Sequence, residues 1–187
     1  MTSLQVRFPD QWSTLPIGGP EGAAAAGELV TGMGELDRES QVAMDAYLTA
    51  VLPALQEWGI DGVASLVLPD EAGGLIQAFC AISLVQGETG DAAELRMVAE
   101  AGPHPGLERE TTEVELPAGI AVRSAAFRFA EELLDDEGVA PYSGEVRYAF
   151  PLPGSRIGIL HFETLSLIYF RELADLFDAI AETTSIG

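Results

Sequence analysis

Apolar and polar positions alternate at the start of the chain. Leu4, Val6 and Phe8 are separated by Gln5 and Arg7, the period-two pattern of a half-buried strand. Pro9-Asp10-Gln11-Trp12 turns the chain into a second short extended piece, Trp12 to Ile17. The period then changes. Pro20 suits the first turn of a helix through its fixed φ, Glu21 complements the N-terminal dipole, and Ala23 to Ala26 carry the helix on. A second helix is expected after an N-cap at Asp37, with Ala43, Tyr47, Ala50, Val51, Ala54, Leu55 and Trp58 recurring at helical spacing. Pro53 kinks or breaks it, and Gly59 followed by Ile60 ends it as a left-handed cap does.

Period two returns in the next stretch. Val63 to Leu68 and Leu75 to Val85 are β-rich and nearly continuous in apolarity, and the connection between them is too short for a crossover helix. They are expected to form an antiparallel hairpin central in a sheet. Asp91 to Ala101 predicts a short helix with Leu95, Val98 and Ala99 inward, ended by the loop Gly102 to Gly106. Thr112 to Leu116 alternates cleanly, and Pro117-Ala118-Gly119 turns it into Ile120 to Phe129, with Ala121, Arg123, Ala125, Phe127 and Phe129 on one face. Glu145 to Phe150 and Ile157 to Phe162 flank Leu152-Pro153-Gly154-Ser155, where Pro followed by Gly fits a type II turn. The chain closes on a helix whose stripe is Phe170, Leu173, Ala174, Phe177, Ile180 and Ala181, with Arg171, Asp175, Asp178 and Glu182 on the opposite face.

Strands clustered by hairpins, rather than alternating with helices, predict an α+β fold. It is expected to be a single domain over 1–187, a mainly antiparallel sheet flanked by N-terminal helices and a C-terminal helix. No repeat period or linker divides the chain.

Charge narrows the functions. Thirty acidic residues face nine basic ones, for a net charge of -21. All the basic residues are Arg, spread along the sequence, which predicts no basic face for nucleic acid and no attraction to anionic membrane surfaces. The absence of Lys removes Schiff-base chemistry and the phosphate-loop lysine. The single cysteine, Cys80, lies in an apolar run and reads as a small buried hydrophobe. No metal site and no cofactor are expected. The N-terminus lacks a basic region followed by an apolar stretch, so the expected compartment is the cytoplasm.

Few groups remain for chemistry. His104 lies between prolines in a loop; His161 shares a strand face with Ile157 and Ile159 and reads as a core or rim histidine. The candidate acid–base pairs are His161 with Glu163 at the end of a strand, or Glu113 or Glu115 beside Arg123, and an ion pair or a wet edge strand explains each without catalysis. Trp12, Trp58, Phe79 and Tyr148 could line a carrier's cavity, although aromatics at element ends are more often core. Glu131, Glu132, Asp135, Asp136 and Glu137 form an acidic run that reads as a solvated loop or flap. It lacks the ligand register of a calcium loop and is the candidate interaction segment.

Phe8-Pro9-Asp10-Gln11-Trp12, Glu115 to Arg123, Val146 to Gly154 and Phe177 to Thr183 resemble a family of uncharacterised actinobacterial cytoplasmic proteins. That family is similar in layout to the Mog1/PsbP-like fold, an antiparallel sheet flanked by helices. Known members of that fold are mostly binding or assembly modules, so the resemblance implies an interaction role by analogy. With the charge, it predicts a non-enzymatic, acidic accessory protein with a protein partner, basic in character, in a setting such as a secretion or toxin system.

Overall fold

A computed structural model of the chain describes residues 4–17, 59–70, 75–101, 109–127, 134–135, 138–139 and 143–187. Strands β1 (Leu4–Gln5), β2 (Trp12–Pro16), β3 (Ile60–Pro69) and β4 (Leu75–Gln86) come first, followed by helix α1 (Ala92–Glu100). Next are β5 (Glu110–Leu116), β6 (Gly119–Phe127), the short β7 (Leu134–Asp135) and β8 (Gly138–Val139), then β9 (Gly144–Leu152) and β10 (Arg156–Thr164). Helix α2 (Phe170–Ala181) and β11 (Ser185–Ile186) close the chain.

Seven strands form one sheet in the order β2-β3-β4-β10-β9-β6-β5, with antiparallel pairing throughout. This is the antiparallel α+β architecture with a closing helix that the strand clustering predicts. The two expected N-terminal helices, Trp58, His104 and the loop Gly102 to Gly106 lie outside the described residues. Gly59 has φ +74, the left-handed value its predicted cap role requires. The initial strand is shorter than its alternation suggests: Leu4 and Gln5 pair with Ile186 and Ser185, while Val6 and Phe8 pack against the core without a ladder.

The hairpin β9–β10 carries a three-residue loop, since Leu152 pairs with Arg156. Gly154 takes φ +79 as a type II turn needs, and Ser155 at φ +53 supplies the extra left-handed residue. Helix α1 begins with a reciprocal cap. The Asp91 side chain accepts from the Glu94 amide at 3.0 Å, while the Glu94 carboxylate turns back to accept from the amides of Glu88, Thr89 and Gly90 at 2.7, 2.8 and 2.6 Å.

Period two then distributes the side chains. On one face Val146, Tyr148, Phe150, Leu160 and Phe162 meet Leu173, Phe177 and Ile180 of α2. Phe162 stacks on Phe177 at a centroid distance of 4.6 Å, and Trp12 packs edge-on against both. Removing the three large α2 side chains from water stabilises the fold by roughly 5–9 kcal/mol before chain entropy is counted. On the other face α1 covers Val122, Ala149, Ile157 and Ile159 with Leu95 and Ala99. Strand β9 is thus buried on both sides.

Candidate functional site

Beyond the end of α1, the same sheet face turns polar. Register sets out the row Ala81, His161, Arg147, Ser124 and Thr111 across five neighbouring strands. The next row places Glu163 opposite Glu145 and Ala126 beside it. Glu145 is 1% exposed, and Ser124 is fully buried. The Glu145 carboxylate receives His161 Nε2 at 3.2 Å on one oxygen and Arg109 on the other. Burial alone would raise this carboxyl, but the hydrogen bonds and charges of His161 and Arg109 outweigh it and hold Glu145 below the usual carboxylate range.

His161 is therefore a rim histidine on the Ile157–Ile159 face, as its alternation predicts. The carboxylate in contact with it is Glu145 on the neighbouring strand. Glu163, two residues along, was the partner suggested by spacing. Nothing local marks Glu145 as that partner. The only sequence signal is Glu-Val-Arg within an otherwise apolar strand, which places two charges on a face that burial will cover.

The opposite face holds a second network. Arg123 Nε donates to Asp178 Oδ1 at 2.7 Å, and the Tyr148 hydroxyl donates to the same oxygen. Burial pushes the Tyr148 hydroxyl up, and Asp178 adds to the shift. Two expectations are corrected here. Glu113 and Glu115 do not flank Arg123: Arg123 is opposite Thr112, whereas Glu113 is opposite Val122, on the α1 side. Asp178 is not on a purely solvated helix face but at its rim, where α2 meets β6 and β9.

The aromatic candidates separate as well. Trp12 and Tyr148 sit in the core, 6% and 1% exposed, and Phe79 stands on the polar-row face of β4, 44% exposed. Phe79 is thus on the opposite face of the sheet from Trp12 and Tyr148, and these three described residues share no cavity. Cys80 is buried, and desolvation pushes its thiol well above the ordinary range. Of the acidic run, Asp135 lies in β7, paired with Gly138 of β8, and Glu131, Glu132, Asp136 and Glu137 lie outside the described residues. Among the described residues no group of three or more His, Cys, Asp and Glu could hold a metal ion, and no helix is long and apolar enough to cross a membrane.

The arginines gather in space more than their spread along the sequence suggests. Arg109, Arg123 and Arg171 border one cleft of about 790 Å³ with Glu110 and Asp175, floored by Phe170. Phe170 packs so tightly on Gly144 that a Cβ there would overlap its ring. Acidic partners line the same cleft, so it is a mixed surface rather than a basic patch.

Sheet order, pairing and the closing helix define an α+β protein with one large antiparallel sheet. No family model matches the chain, and comparison with curated proteins finds no match. Among solved structures, the fold is similar to that of LpqN, described as involved in cell envelope biogenesis of Mycobacterium tuberculosis. The TM-score is 0.53 at 14% identity, over 100% of this chain and 84% of that one. At that identity the likeness is one of fold.

Proposed function

We propose that this protein is a non-enzymatic accessory module that binds a basic protein partner through the exposed apolar end of one sheet face. The observation that carries this reading is an exposed apolar group at the β3–β4 end of the face that α1 covers only in part. Val67 is 52% exposed and Phe79 44%, and Leu165 follows at the end of β10 with 49%. Phe79 lies opposite Glu163 in register, so apolar surface adjoins acid. On a chain of net charge -21 such a surface suits a partner with basic groups around an apolar contact. The acidic run Glu131, Glu132, Asp135, Asp136 and Glu137 would add long-range steering.

Chemistry is disfavoured by the same geometry. Glu145, engaged by Arg109 and His161 and held below the usual carboxylate range, is a weak base. The likeness to LpqN, a protein described in connection with cell envelope biogenesis, fits an accessory role loosely. The Mog1/PsbP-like layout and a place in a secretion or toxin system belong to this proposal. The proposed compartment is the cytoplasm, and recovery in the envelope fraction of source cells would move it.

The test is affinity capture from source cells, followed by reconstitution with the purified partner. Phe79→Glu or Val67→Glu is expected to weaken binding at least tenfold with folding intact, and rising salt to slow association. Binding indifferent to both substitutions and to ionic strength would refute the proposal.

A further inference from the structure

Among the described residues, Arg147 in the buried polar row is left without a counter-charge of its own. Arg147 is 8% exposed, its Nε is buried without a hydrogen-bond partner, and among the described residues it makes no ion pair. Its strand neighbour Glu145 is occupied by Arg109 and His161. Beside it in register are His161 on β10 and Ser124 on β6, and Thr111 Oγ1 donates to Ser124 Oγ at 3.5 Å, leaving the Ser124 hydroxyl hydrogen to donate elsewhere. Buried guanidinium groups are ordinarily matched, because an unpaired charge away from water is costly. Here desolvation disfavours the charged form of Arg147, Glu145 offsets this in part, and Arg109 adds repulsion.

We propose that Arg147, with Ser124 and His161 on either side, forms a binding site for a small oxyanion, a carboxylate or a phosphate group. A guanidinium presents paired N–H donors that match either group, and a serine hydroxyl supplies a further donor of suitable type. The anion supplies the charge that Glu145 cannot share. The site stands apart from the proposed docking surface at Val67 and Phe79, so each is testable without the other.

The test is thermal unfolding of the full chain in sodium acetate, in inorganic phosphate and in NaCl at matched ionic strength and pH. Matching is required because any salt screens a chain of this charge. An oxyanion bound only to the folded state at ten times its dissociation constant raises the midpoint by roughly 3–6 °C beyond the NaCl value. That excess is expected in wild type and absent in Arg147→Met, which is itself expected to melt above wild type in NaCl because it removes an unbalanced buried charge. Acetate giving the larger excess identifies a carboxylate ligand; phosphate giving it identifies a phosphate group. A second reading needs no variant in the site. The His161 ring resonances, assigned with His104→Gln, should move saturably with the oxyanion and not with NaCl. Identical responses to oxyanion and NaCl in wild type, or an excess that survives in Arg147→Met, would overturn the site.

Discussion

Arg123 and Asp178 meet at 2.7 Å although 55 residues separate them, and the Tyr148 hydroxyl shares the same carboxylate oxygen. One side chain of α2 thereby ties the helix to two neighbouring strands, β6 and β9. The clamp sits at the edge of the aromatic core, so water reaches Asp178 more readily than the two groups that donate to it.

Asp178→Ala should destabilise the fold by about 1–3 kcal/mol, chiefly by stranding the buried Tyr148 hydroxyl. Asp178→Asn, which keeps an acceptor, should cost less. Urea denaturation of the two variants checks this, and equal stability of Asp178→Ala and wild type would show that the clamp is idle.

Glu145 balances Arg109 and His161 in a nearly dry environment. Glu145→Leu alone is expected to cost about 3–5 kcal/mol, because a buried cation loses its counter-charge. Adding Arg109→Met should recover a large part of that loss. A double variant no more stable than the single one would mean that the pair is not the unit of stability.

Glu94 holds the loop before α1 through the amides of Glu88, Thr89 and Gly90, and these hydrogen bonds lower its pKa from 4.5 to about 2. Because the folded value lies below the unfolded one, its stabilising contribution is complete above about pH 4.5 and declines as pH falls from there through about 2. Glu145, also held low, loses its contribution in the same direction. The stability difference between wild type and Glu94→Gln should therefore shrink across that acid range. A difference that stays constant with pH would contradict the linkage.

The whole chain repels itself. Screening should raise the melting temperature between about 20 and 300 mM NaCl, as the Debye length falls below the spacing of surface carboxylates. A flat or falling melting temperature would show that local pairs such as Arg96–Glu100, at 3.5 Å, outweigh the general repulsion.

Much of the architecture is written locally. The alternation in Thr112–Leu116, the Pro153-Gly154 turn and the stripe of Leu173, Phe177 and Ile180 each report one element and the face it buries. The charged contacts are less accessible. Proximity along the strand pointed to Glu163 as the partner of His161, and to Glu113 or Glu115 as partners of Arg123. The observed partners come from β9 and from α2.

The sequence by itself determined the long strands of the main sheet and both described helices, most of their buried faces, the hairpins and the absence of lysine. Those follow from periods and residue types within a few positions of one another. Only the tertiary structure decided which charges meet. That depends on the register between strands distant in the chain, where a shift of one residue moves a side chain to the opposite face. The assembled sheet puts Arg109 on Glu145 and Asp178 on Arg123, and leaves Arg147 with no described partner between His161 and Ser124.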